Sequence, residues 1–499
     1  MFKFINYRPL SRTCSAIVLF LLLSSSYSGI AQLPQHFIPS PPVTKDSTLV
    51  ARLEKRYKQE KDTISFTVKK GRDFIAEQCS LRNDFIKARI TEEYFLSGSY
   101  IDRYVQQIAK EILSKNPELS YGITVLVSRD PEPNAYALGN GIVIFNIGML
   151  KRLHTEAEIA FILCHEFSHD YLHHGNNDLY KTAERIVDKE LEEQLKAAVK
   201  EEYNTKKKVF ALLLPGLKKS RQYNREQELQ ADSIGMKFLS KTRYNLQGGV
   251  TVMDVLDSLD IRQETEVINL RKFFTIPQVP PGKYWFEYQG ASSLGGGFEE
   301  EKDTLADSLK THPDCKVRKE TLSRIINNKS GGELFLQPAD SFRLMQYDSE
   351  GEYIQLWLDW YYMDRSIYNA LFYLEKYPTN VFPRATLALS LAFISMKQKN
   401  LQAGNYLAMP SPDYDESFNR LLQMLREINP KENGLLSYWM IRPIDEDLKK
   451  TEVYLAALVL SAYSAAKPDE YASLRAEYST KFPEGRYLQF FPVEEEKKK

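Results

Sequence analysis

The sequence predicts an α+β fold that is mainly helical. A small sheet sits beside a metal-binding helix, and an α-helical, repeat-like domain follows. Three observations predict it. The stretch Thr155–Gly175 carries His165-Glu166-Phe167-Ser168-His169, an H-E-x-x-H motif on an apolar helical run. Two β-rich segments, Ile123–Val127 and Ile142-Val143-Ile144-Phe145, precede it, with Pro131, Pro133 and an Asn140-Gly141 turn signal between them. Beyond about Gly331, amphipathic helices follow one another to the end.

The N-terminus reads as an export signal (1–31). Lys3, Arg8 and Arg12 form a basic region, Cys14–Leu23 a short apolar region, and Gly29-Ile30-Ala31 a small-residue cleavage site. The apolar run is too short to span a bilayer comfortably. The chain has 499 residues, with 66 basic and 66 acidic side chains, so net charge gives no case for nucleic acid or for an acidic surface. Once Cys14 leaves with the signal, Cys79, Cys164 and Cys315 remain. A Cys164–Cys315 bridge stays open as a reading, and buried free thiols fit better.

Leu33–Asp46 is proline-rich and reads as a linker; residues 32–65 hold it and the start of the first helices. The pattern is helical from about Ser47 to Lys115, with Ile101, Tyr104, Val105, Ile108 and Ile112 at helix spacing, and Asn116-Pro117 ends it. The run Ile142–Phe145, introduced by Asn134, is expected to be an edge strand that holds a substrate backbone; an ordinary interior strand is the alternative. Thr155-x-x-Glu158 is a capping box that opens the metal helix, and Gly175 is its expected stop. His165 and His169, four apart, share a helix face and can hold one metal, with Glu166 in reach of a water on it.

Asp178–Lys208 is a charged, solvated helical stretch, and Val209–Leu217 an abrupt apolar run that covers the cleft, touches a membrane or, by preference, packs into the core. A second helix is expected over about Ser220–Ser240. There Glu228 and Asp232 share a face, so Glu228 can be the third ligand while Asp232 accepts the outer N–H of a ligating histidine. Ala231 and Gly235 are small enough to let this helix lie close to the first. Gly290–Phe298 reads as a flexible loop, either a lid or an inert surface. The first unit is expected to run over 66–330 and the helical domain over 331–490, before a charged tail at 491–499.

Together these residues resemble the gluzincin zinc metallopeptidases typified by HtpX and the CAAX prenyl proteases. The resemblance rests on H-E-x-x-H, on Glu228-Leu229-Gln230-Ala231-Asp232, on Asn134-Ala135-Tyr136-Ala137 with Gly139-Asn140-Gly141, and on Thr311-His312-Pro313 with Arg318. It covers roughly Ile123–Ile325. It implies one Zn2+ per chain held by His165, His169 and Glu228, with Glu166 as general base, Asp232 as orienter, His312 as a cleft histidine near the metal and Arg318 as its support. Asn134 then orders the loop by the edge strand, His174 falls where family members often carry a histidine, and His173 lies at the surface. With the export signal and helices like tetratricopeptide pairs, the chain resembles periplasmic members linked to outer-membrane protein assembly. The expected function is endopeptidase action on unfolded or misassembled envelope polypeptides, with an assembly partner on the C-terminal helices and peripheral membrane contact as a further expectation. The competing reading is a chaperone-like assembly scaffold with a silent or regulated metal site.

Overall fold

The structure is a computed structural model that describes residues 37–40, 47–190, 193–194, 224–259, 267–287, 315–327, 331–412, 414–442 and 446–492. Residues 1–31, read above as an export signal, most of the charged stretch after 190, the run Val209–Leu217, the glycine-rich stretch 290–298 and His312 lie outside the described residues. Among the described residues no helix is long and apolar enough to cross a membrane.

Helices α1 (Ser47–Thr63) and α2 (Lys69–Thr91) pack together, and α3 (Tyr100–Lys115) follows. Ser99 caps α3 by accepting the Asp102 N–H. Its buried stripe is the one the spacing predicts: Ile101, Tyr104, Val105, Ile108 and Ile112. Three strands come next, β1 (Thr124–Ser128), β2 (Ala135–Gly139) and β3 (Ile142–Asn146). They pair in the order β1-β3-β2, parallel between β1 and β3 and antiparallel between β3 and β2.

This order corrects the expectation for Ile142, Val143, Ile144 and Phe145. They form the buried central strand, and the outer strand that packs on α5 is β2, which the spacing of β-rich residues does not mark. The physical reason lies in the residues. Ile-Val-Ile-Phe is apolar on both faces, as a strand covered on both sides must be. Ala-Tyr-Ala-Leu-Gly carries little β-branched signal. The hairpin turns at Asn140 (φ 54°) and Gly141 (φ 71°), the positive dihedrals that a two-residue turn requires.

After a short helix, α4 (Ile147–Leu150), comes α5 (Glu156–Tyr171), the metal helix. Its capping box is complete: the Thr155 side chain accepts the Glu158 N–H and the Glu158 side chain accepts the Thr155 N–H. Apolar on every side, α5 packs against α3, β2 and β3. It stops earlier than Gly175 suggested. His173 takes the left-handed conformation (φ 54°), and α6 (His174–Ile186) begins at once. The next described helix, α7, spans 224–239, then α8 (Gly248–Leu259), α9 (Leu270–Phe274) and α10 (Cys315–Ile326). One core joins α3, β1, β3, α5, α7, α8 and α10.

The C-terminal part is all helix: α11 (Ala339–Asp359), α12 (Met363–Lys376), α13 (Val381–Lys399), α14 (Glu416–Glu427), α15 (Pro430–Met440), α16 (Glu452–Ser464) and α17 (Pro468–Lys481). Helix α13, apolar all round, sits in the middle and touches α11, α12, α15 and α16. The two cores also do not divide at one chain position. Ile268, Phe274 and Trp285 pack into the C-terminal core, while Phe342 and Met345 of α11 pack into the first.

Residues 37–40 cross the C-terminal part as a strap. The Phe37 ring lies edge-on to Phe382, with centroids 4.8 Å apart, and covers Gly351, where a Cβ would meet the ring at 2.5 Å. The Ser40 N–H donates to Glu352 Oε1 (2.5 Å), and the Ser40 carbonyl accepts from Arg129 and Arg486. Arg129 in turn pairs with the fully buried Glu352 (3.1 Å) and with Asp359 (3.3 Å), and Arg486 with Asp359 (2.9 Å).

Candidate metal centre

Helix periodicity puts His165 and His169 on one face of α5, and their Nε2 atoms stand 3.1 Å apart. Helix α7 crosses close by and brings in Glu228. Its Oε2 is 3.5 Å from His165 Nε2, and its Oε1 is 3.4 Å from His169 Nε2. One ligand atom from each of the three lies within 4.8 Å of the others. The close crossing depends on small residues. Ala231 is fully buried, and a Cβ on Gly235 would lie 3.1 Å from the His165 Cα and N.

Both imidazoles are held from behind. His165 Nδ1 is 3.0 Å from Asp232 Oδ1. Asp232 is gripped by Arg318, whose Nε and Nη2 each donate at 2.7 Å. Arg318 Nη1 also reaches Glu228 Oε2 at 3.2 Å. So Arg318 sits on Asp232 and Glu228, tying the third ligand to the orienter, while the expected partner His312 lies outside the described residues. His169 Nδ1 meets His174 Nδ1 at 3.0 Å, and His174 Nε2 faces Gln230 Oε1 at 3.3 Å. A neutral His174 that donates from Nε2 to Gln230 accepts at Nδ1 from His169. That fixes the His169 tautomer with the Nε2 lone pair aimed at the centre. Burial and the neighbouring His169 push His174 down to about 4, which keeps it neutral. The His174–Gln230 relay is missing from the sequence reading as a role. Gln230 next to Leu229 in an acidic helix gives no local signal.

The electrostatics ask for a cation. Burial opposes charge on His165, but its bonds to Asp232 and Glu228 outweigh this and push it up to about 10. Burial likewise works against Asp232, and the Arg318 and His165 bonds win and hold it below the usual carboxylate range. Two imidazoles and a carboxylate, each oriented from behind, fit a zinc ion, whose positive charge would take the place of the proton that the two carboxylates hold on His165.

Glu166 faces the cleft. Its Oε2 accepts the Ala137 N–H of β2 at 2.8 Å, and burial raises its pKa. Asp170, one turn on, accepts from the Gly141 N–H and the Tyr121 hydroxyl, each at 2.8 Å, which locks the hairpin to α5. The backbone carbonyl of Asn134 accepts from the Asn146 N–H (3.1 Å) at the start of β2. The backbone alternation then turns the N–H and C=O of Ala135 outward, on the same side as those of Ala137. Cys79, Cys164 and Cys315 are buried thiols, none of them in a disulfide. Burial pushes the Cys164 thiol well up, so it is inert beside the metal ligand.

Two histidines one helix turn apart, a carboxylate from a second helix and a buried carboxylate beside an edge strand form a candidate metal centre open to a cleft. Residues 97–326 match the family model "Peptidase family M48". Two curated relatives are named mitochondrial metalloendopeptidase OMA1. The one from Arabidopsis thaliana is 25% identical over 227 residues, 45% of this chain and 36% of the relative. The one from Schizosaccharomyces pombe is 25% identical over 164 residues, 32% of this chain and 44% of the relative. The chain thus spans less than half the length of either.

Proposed function

We propose that this chain is an exported zinc-dependent endopeptidase that hydrolyses peptide bonds in unfolded or misassembled proteins of a bacterial envelope. The observation that carries the chemistry is the convergence of His165, His169 and Glu228 beside Glu166. His165, His169 and Glu228 would hold the zinc. When bound it supplies Lewis acidity towards the scissile carbonyl and the attacking water. An extended substrate pairs with the outward groups of β2, which favours unfolded chains over folded ones. Glu166, steadied at Oε2 by Ala137, takes the proton of the attacking water and returns it to the leaving nitrogen. Its raised pKa suits it to both transfers. The basic and apolar N-terminal segments support export, and the C-terminal helices are the part of the chain left for an assembly partner.

The test is digestion of casein by the purified mature chain, with and without chelator, beside Glu166→Gln. Cleavage that chelator abolishes and that falls at least about 10³-fold in Glu166→Gln supports the reading. Equal turnover by the variant refutes it. Suppression of aggregation without any cleavage would favour the scaffold.

A further inference from the structure

A cavity of about 520 Å³ lies where the short helix α4 packs on α11, and α11 on α12. It shares no lining residue with the cleft at the metal centre. Lys151, just past α4, lines it with Glu350 and Tyr353 of α11 and Asn369, Phe372 and Lys376 of α12. We propose that this cavity binds a small carboxylate on an apolar body, either a free organic acid or the C-terminus of a short peptide. The proposal stands apart from the endopeptidase reading.

The charge balance points to an anion. Glu350 is taken by Lys376 at 2.7 Å, and Glu375, which also lines the cavity, by Lys272. Lys151 has no carboxylate within 4.0 Å among the described residues. Its ammonium stands 4.0 Å from the centroid of the Tyr353 ring, the only aromatic face recorded for it. Burial pushes Lys151 down to about 8, against the pull of Glu350, and the positive charges of Arg152 and Lys376 add to the fall. Burial also holds Tyr353 and Tyr373 above the ordinary phenol range, so both are neutral here. An anion entering the cavity therefore meets one lysine that lacks a counter-charge, and bringing the two together relieves the cost of burying that ammonium. A polyanion fits poorly, because Glu350 and Glu375 stand in the same walls. Asn369 donates one amide hydrogen to the Arg365 carbonyl (2.8 Å) and keeps a second for a ligand oxygen. The half-buried rings of Tyr353 and Phe372, with buried Ile354, supply surface for an apolar body. The volume lies in the range of small-molecule sites.

The test is calorimetric titration of the full chain with decanoate, with decanol, and with a tripeptide ending in phenylalanine as its free acid and as its amide. The Glu166→Gln chain is used for the peptides, so that none is consumed. A carboxylate is expected to bind with Kd on the order of 0.1 mM, and its uncharged counterpart at least about 10-fold more weakly. Decanoate over decanol makes free acids the source, and peptide acid over peptide amide makes peptide termini the source; either upholds the site. Lys151→Met is expected to weaken the carboxylate at least about 10-fold. In the wild type its affinity should fall about 10-fold per pH unit above pH 8, where Lys151 loses its proton, and stay level between pH 6 and pH 7. Should Lys151→Met fail to fold, the acid-to-neutral ratio and the pH profile of the wild type carry the test alone. No binding of either carboxylate at about 50-fold the expected Kd, equal binding of acid and neutral forms, or affinity unmoved in folded Lys151→Met would overturn the proposal.

Discussion

Replacing Gly235 by alanine tests the helix crossing that builds the metal centre. A Cβ there would lie 3.1 Å from both Cα and N of His165 and 3.3 Å from the carbonyl carbon of Cys164. All three are backbone atoms of α5, so neither helix can give way by turning a side chain. Ordinary contact needs a few tenths of an ångström more, and α7 must move away from α5 by that amount. Overpacking of this kind costs about 1–3 kcal/mol. The alanine returns about 1 kcal/mol of helix propensity. The expected net loss is on the order of 1 kcal/mol in urea unfolding. The larger effect is on the metal, because Glu228 lies two turns up α7 and is displaced from His165 and His169. Zinc affinity, measured by competition with a chromophoric chelator, is expected to fall about 10-fold or more. Gly175→Ala is the control: it sits in α6 with nothing within 4 Å of its Cβ, and should stabilise by about 0.5–1 kcal/mol. Unchanged zinc affinity in Gly235→Ala, or the same stability gain at both positions, would refute the argument.

Three further outcomes are expected. Asp232→Asn leaves Arg318 and His165 without their shared carboxylate, and zinc affinity should drop about 10–100-fold in the same competition assay. Glu352→Ala removes the more buried of the two carboxylates on Arg129, which keeps Asp359, and releases the Ser40 N–H; about 1–3 kcal/mol should be lost in urea denaturation, and no loss would contradict the role given to this pair. Asp348 is pushed up to about 7 by burial, with the Glu352 charge adding to it. The folded state therefore holds its proton more tightly than the unfolded chain, and stability is lost as pH rises from about 4 to about 7. Asp348→Asn should raise the unfolding free energy at pH 8 by on the order of 1 kcal/mol once partial solvation is discounted, seen as a higher Tm, and change little at pH 4.

What the sequence reveals here is what is local. The capping box, the apolar run and the four-residue histidine spacing are properties of one helix, and all stand in the structure. Glu228, Asp232, Ala231 and Gly235 are legible because one helix face carries both the chemistry and the small residues that permit the crossing. Strand order is a different matter. Nothing within Ala135–Gly139 announces that it, and not Ile142–Asn146, would lie at the edge. That follows from β1 pairing beside β3, a contact made across the sheet. The His174–Gln230 relay joins residues 56 apart in the chain. The packing of residues 268–285 on the C-terminal core is likewise non-local, and no periodicity in a segment that short encodes it.

The strap at residues 37–40 has a consequence for how the molecule is made. Ser40, near the beginning, is held by Arg486, near the end. A ribosome delivers the first of these hundreds of residues before the second. The clasp cannot shut until residue 486 has been made, so the segment that follows α17 decides when the strap comes to rest.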